Sequence, residues 1–180
     1  MAENDTTIVY RLDQENQIIS VDGPWDDFAL DNEGSNAIAC QVEGRPIWHF
    51  ITGDTTRMWF EVMLKSARLR QTTLELCYRC DSPELKRFMR MRIVPGENDI
   101  LSIEHEQIGE ERRASPVTIR YAGNKPVGSF NTRCSMCGRL KQGPDWLEPE
   151  QQKHPSDTVN VIYTVCESCK TLVSKASAAS

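Results

Sequence analysis

The sequence predicts an α+β fold in which strands share one sheet under a long helix, followed by a small metal-binding unit. Three observations carry this. Short runs of alternating apolar and polar residues recur before and after residue 54, one helical-period run covers residues 54–70, and two Cys-X-X-Cys pairs stand in the last quarter.

Ile8, Tyr10 and Leu12 alternate with Val9 and Arg11, and Ile18, Ile19 and Val21 follow the polar turn Asp13-Gln14-Glu15-Asn16. Together they read as a β-hairpin, which Gly23-Pro24 ends. From Trp25 to Gly53 the pattern breaks into short pieces: Trp25, Phe28 and Leu30, an interruption at Gly34-Ser35-Asn36, an apolar patch from Ala37 to Val42, and an aromatic-rich run from Ile47 to Ile51. Short helices and loops suit this stretch. In the next segment Asp54 or Thr55 can cap a helix. Trp59, Val62, Met63 and Ala67 mark its buried face. Lys65, Arg68 and Arg70 sit near its end, where positive charge complements the helix dipole.

Three further strands are expected. Leu74, Leu76, Tyr78 and Cys80 share one face of the first, Met89, Met91 and Ile93 one face of the second, and Leu101, Ile103 and His105 one face of the third. Glu75, Arg90, Arg92, Glu104 and Glu106 fall on the opposite face, so the sheet has one buried and one wet side. The 54–70 helix is the candidate to cover the buried side. The division expected is 7–108 for this domain, 109–132 for a polar linker in which a short strand fits Val117–Tyr121, and 133–172 for the metal unit. Residues 1–6 and the tail from Ser174 read as loose ends.

The element order resembles that of a PAS domain. Val9-Tyr10-Arg11-Leu12-Asp13 followed by Ile18-Ile19-Ser20-Val21-Asp22 looks like the opening PAS hairpin, and Gly44-Arg45-Pro46-Ile47-Trp48-His49-Phe50-Ile51 looks like the helix entry. The family often has an acidic residue at the position of His49. The run from Arg79 to Met89 resembles a bacterial subgroup in which two Cys-X-X-Cys pairs follow the sensor domain. The resemblance spans about residues 7–170. It implies a PAS-like five-stranded antiparallel sheet with helices on one face. It further implies a role in sensing or protein interaction beside partners such as histidine kinases or response regulators, and dimerisation as a habit of the family. No kinase, cyclase or receiver motif is present in the chain.

Cys134-Ser-Met-Cys137 and Cys166-Glu-Ser-Cys169 are the strongest chemical signal. Two such knuckles complete the tetrahedral thiolate shell that zinc prefers, and Gly138 permits the tight backbone after the first. A structural zinc ion is the expected cofactor. A rubredoxin-like iron and a free dithiol pair are the alternatives. Four thiolates leave no open coordination position, which argues against hydrolytic zinc chemistry. Cys77-Tyr-Arg-Cys80 imitates a third knuckle, but residues three apart on a strand point to opposite faces. Cys80 is therefore read as core and Cys77 as near the surface, and Cys40 as core. His154 lies between the knuckles and could replace a cysteine, but four already suffice.

His105, Trp59, Met89 and Met91 are the residues expected to line a small-molecule pocket between sheet and helix, if that space is hollow. Their plainer reading is core, and His49 is a weaker candidate of the same kind. Lys86, Arg87, Arg90 and Arg92 read as a solvated basic run balanced by glutamates. The formal net charge is −5, and residues 131–180 hold six basic and five acidic side chains. A zinc ribbon that grips nucleic acid is therefore disfavoured, although it remains a rival, as does a thiol redox sensor. No phosphate loop, nucleophile elbow or His-Glu-X-X-His pair is present, so no catalytic activity is expected. No apolar run reaches membrane length and the first residues are polar and acidic, so a cytoplasmic location is expected.

Overall fold

The computed structural model describes residues 7–31, 37–123, 130–152 and 158–178, with side chains described through Leu172. It is an α+β protein of two five-stranded sheets and few helices.

The first sheet is antiparallel, in the order β2-β1-β5-β4-β3. Its strands are β1 (Ile8–Leu12), β2 (Ile18–Asp22), β3 (Leu74–Arg79), β4 (Leu85–Pro95) and β5 (Leu101–Arg112). The alternation read from sequence sets its faces. Tyr10, Leu12, Leu76, Met91, Ile93, Leu101 and Ile103 are buried in one core. On the other face Arg92 pairs with Glu104 at 2.7 Å and Arg90 with Glu106 at 3.6 Å. These ions stay in water and are worth little individually.

Two short helices, α1 (Trp25–Asp31) and α2 (Ala39–Val42), precede the long helix α3 (Asp54–Arg70). Helix α3 spans the residues expected, but its buried stripe is Phe60, Met63, Leu64 and Ala67. Those positions follow the i, i+3, i+4, i+7 rule, whereas Val62 is 64% exposed and Trp59 only half-buried. Met63 and Ala67 of the expected face are thus buried, Trp59 packs at the core's edge, and Val62 faces outward. The cap also differs. Gly53 occupies it at φ +89°, and a Cβ there would sit 3.1 Å from Tyr163 Cβ, so Asp54 falls inside the first turn. Near the other end, Arg68 donates to the Asp13 carbonyl (2.6 Å), Asn16 Oδ1 (2.8 Å) and the Asp99 carbonyl (2.9 Å). It ties the first hairpin turn to the β4–β5 turn, besides complementing the helix dipole.

Strands β4 and β5 run longer than their alternating cores. Of the stretch expected as a linker, residues 109–112 continue β5, Arg113 is buried, and β6 (Thr118–Tyr121) is a strand. The second sheet has the order β6-β10-β7-β8-β9, with β7 (Asn131–Cys134), β8 (Leu140–Gln142), β9 (Asp145–Leu147) and β10 (Thr158–Thr164). Strand β10 lies parallel to both β6 and β7, and β7 to β9 form an antiparallel meander. The final helix α4 (Glu167–Ala178) packs against β3. Its backbone extends through residues 174–178 of a tail expected to be loose. Residues 1–6, the Gly34-Ser35-Asn36 interruption and His154 lie outside the described residues. No described helix is long and apolar enough to cross a membrane.

The two sheets share a core. Cys134, Met136, Val165, Cys166 and Cys169 belong to the same buried cluster as Leu64, Met91 and Ile103. Cys40, expected in the core, is exposed, because Val42 is the residue that α2 buries.

Candidate metal centre

Two backbone devices bring the cysteine pairs together. Parallel pairing sets Thr164 of β10 opposite Cys134 of β7, so the strand ends that carry the two pairs lie side by side. Ser135 then donates its backbone N–H to the Thr164 carbonyl at 2.8 Å. The meander and β10 fill the long sequence gap between the pairs. In the first knuckle Gly138 adopts φ +72°, a conformation L side chains rarely take, and its N–H closes onto the Cys134 carbonyl at 3.0 Å. In the second, Cys166 precedes α4 and Cys169 lies in its first turn, where helix amides favour negative sulfur.

The four Sγ atoms of Cys134, Cys137, Cys166 and Cys169 lie within 4.8 Å of one another, and Cys137 and Cys166 are 3.9 Å apart. A tetrahedral zinc site with Zn–S near 2.3 Å requires sulfur separations of about 3.8 Å, so the shell fits a metal ion of that kind. Three of the four residues are buried and Cys137 is half-buried. The Cys166 N–H donates to Cys134 Sγ at 3.4 Å.

Electrostatics lead to the same conclusion. Hydrogen bonds from Cys137 and Cys169 hold the Cys134 thiol far below its ordinary value. The same contacts push Cys137 up to about 11 and Cys169 higher still, because each donates its proton to a thiolate neighbour. Thiolates this close repel one another, so they do not all ionise together unless a cation offsets the charge. A divalent cation held by Cys134, Cys137, Cys166 and Cys169 would supply that charge and allow four thiolates to coexist.

The remaining thiols stand apart from this cluster. Cys77 is exposed on β3, and Cys80, half-buried just beyond its end, has its thiol pushed up by burial.

The sequence did not disclose what surrounds the metal shell. A buried ionic cluster joins the knuckle to the first sheet. Asp81 Oδ2, in the turn after β3, accepts from Arg79 (2.7 Å), Arg113 (2.7 Å) and Arg133 (2.9 Å). Arg79 also bonds Glu148 at 2.9 Å, and Arg113 bonds Glu150 at 2.6 Å. Lys86 completes the group at 2.6 Å from Glu150. It is therefore buried, unlike the solvated run to which the sequence assigned it. Burial works against the charge on Arg79 and Lys86, but carboxylates on both sides outweigh it and raise both above their ordinary values. The sequence signal available was weak: Asp81-Ser82-Pro83 read only as a turn, and the arginines lie up to 54 positions apart.

The expected pocket residues take these places. Met89 and Met91 are buried, Trp59 packs at the edge of the main core, and His105 shares a 2.8 Å hydrogen bond with Tyr78 and stacks on Tyr10. Burial pushes His105 down to about 4, so the ring is neutral. His49 is exposed. A separate apolar cavity of about 230 Å³ lies between the first hairpin and the short helices, lined by Ile8, Ile18, Trp25, Phe28, Val42 and Phe50 among others. None of Trp59, Met89, Met91 and His105 lines it.

Fold and site together define an α+β protein of two five-stranded sheets with a four-cysteine cluster able to hold a metal ion. Among solved structures, the chain is similar to the crystal structure of a domain of HTR-like protein from Haloarcula marismortui ATCC 43049. The identity is 15%, the match covers 58% of this chain and 100% of that one, and the TM-score is 0.41. No protein-family model and no curated protein matches the chain.

Proposed function

We propose that the chain is a non-enzymatic, PAS-like sensor or protein-interaction module of bacterial signal transduction whose four cysteines hold a structural zinc ion. The observation that carries the zinc reading is the closed thiolate shell, set in the same core as the first sheet. All four positions are filled by protein sulfur, which leaves no place for a reacting water. The sensor reading is supported by the quoted sequence resemblance and by an antiparallel five-stranded sheet that follows the expected element order. In this reading residues 7–108 receive a signal or a partner such as a histidine kinase or response regulator, alone or as a homodimer. Residues 133–172 form the metal part.

Native mass spectrometry with elemental analysis and thiol alkylation tests it. One zinc per chain is expected, with Cys40 and Cys77 alkylated and the four cluster cysteines spared until a chelator is added. The same spectrum reads any dimer and any retained small molecule. A chain that purifies without metal, or with iron and a visible absorption band, refutes the zinc assignment.

A further inference from the structure

The first metal knuckle is gripped from outside by a residue more than fifty positions upstream. Arg133, the residue before Cys134, donates through Nη2 to Asp81 Oδ2 at 2.9 Å and through Nε to the Gly138 carbonyl at 3.0 Å. Its guanidinium therefore spans the loop that carries Cys134 and Cys137. Gly138 rests directly on the carboxylate, since a Cβ there would lie 2.8 Å from Asp81 Oδ2 and 3.1 Å from Arg133 Nη2. Between the two ligands, the Met136 carbonyl accepts the Arg79 N–H at 2.8 Å, so the knuckle backbone is also bonded to the edge of β3.

We propose that Asp81, acting through Arg133, is a positioning residue for the metal centre, so that metal retention depends on the β3–β4 turn of the first sheet. The inference rests on the metal reading above and adds its control. Asp81 touches none of the four sulfurs' coordination positions; it fixes the loop that presents two of them. Its side chain is 3% exposed and is held by three arginines, so its place is set by the sheet and not by the metal. Groups of this outer kind commonly change metal affinity 10–100-fold. Coupling of this sort is reciprocal: a turn that tightens the metal must itself be tightened by it. A signal or partner that shifts the turn would therefore loosen the metal, and loss of metal would loosen the edge of β3.

The experiment uses the full zinc-loaded chain in competition with a chromogenic zinc chelator. Asp81→Asn and Arg133→Lys are expected to hold zinc about 10–100-fold more weakly than wild type while keeping its circular dichroism. Arg92→Gln, which breaks a surface pair remote from the knuckle, is expected to leave affinity unchanged. In the reverse direction, chelation of wild type is expected to speed hydrogen exchange at the Arg79 amide. Folded Asp81→Asn and Arg133→Lys proteins with wild-type affinity would overturn the proposal. So would an Arg79 amide equally protected with and without zinc, a result that needs no variant to fold. A wild-type chain that binds no zinc at all removes the metal reading and this inference together, whereas zinc held equally by every variant removes this inference alone.

Discussion

Arg113→Met tests how much of the fold's stability resides in the buried ionic cluster. The Arg113 side chain is 1% exposed and donates to Glu150 at 2.6 Å and Asp81 at 2.7 Å. Methionine removes both charge-assisted bonds and keeps most of the apolar stem. Neither carboxylate is fully stranded, because Asp81 keeps Arg79 and Arg133, and Glu150 keeps Lys86. The cost therefore belongs at the lower end of the range for breaking a buried ion pair, about 3 kcal/mol. That multiplies the unfolded fraction by roughly 100. With an m-value of about 2 kcal/mol/M, the urea midpoint of the zinc-loaded chain should fall by about 1.5 M. Arg92→Met is the comparison: its pair with Glu104 lies in water, and the expected cost is under about 1 kcal/mol. If the two variants shift the midpoint equally, the reasoning about burial is wrong. The cluster also leaves an acid signature. Burial alone would raise the Glu150 carboxyl, but the Lys86 hydrogen bond and the charges of Arg113 and Lys86 outweigh it and hold it below its ordinary value. The stabilisation is complete above the ordinary carboxylate range and is lost as pH falls through the depressed value. Removing Arg113 should weaken that dependence.

The neutral His105 predicts a second pH effect of different origin. With its folded value near 4 and an ordinary value near 6.5, the unfolded chain takes up the proton first. Stability should therefore decline as pH drops from about 6.5 towards 4, and ring-proton NMR should place the His105 midpoint near 4; a midpoint close to 6.5 rejects the burial argument. The facing of α3 is tested by a pair of truncations followed by thermal or urea unfolding. Leu64→Ala, at a fully buried position, should cost about 2–5 kcal/mol, and Val62→Ala, exposed two residues earlier, under about 0.5 kcal/mol. Reversed costs would mean that the helix presents its other side.

Local patterns were the legible part of this chain. Period-two alternation placed Tyr10, Met91 and Ile103 on the buried face because a strand's geometry leaves no other choice. The bounds of α3 and the four metal-site cysteines followed from similarly short-range rules. The facing of α3 was less secure, since Trp59 and Val62 are apolar and only three-dimensional packing shows that Phe60 and Leu64 face inward. Cys40 misled for the same reason: an apolar neighbourhood in sequence became an exposed side of a single helical turn. The ionic cluster could not be read at all. Arg79, Asp81, Arg113, Arg133, Glu148 and Glu150 look like ordinary surface charge one at a time, and their mutual neutralisation exists only after two sheets meet. The short strand read at Val117–Tyr121 is β6, but its place in a second sheet was hidden because its partner, β10, lies far downstream.

The pairing of β1 with β5 sets an order of events during synthesis. Ile8 lies opposite His105, so the opening hairpin cannot join the rest of its sheet until more than half the chain has left the ribosome. Strands β6 and β7 wait longer, for β10. The last cysteine pair emerges later still, so a metal ion bound by all four cysteines would close its shell only around strands that are already assembling. A metal ion taken up by the four cysteines would then act on this fold as a late clasp, joining ends that the two sheets have already brought together.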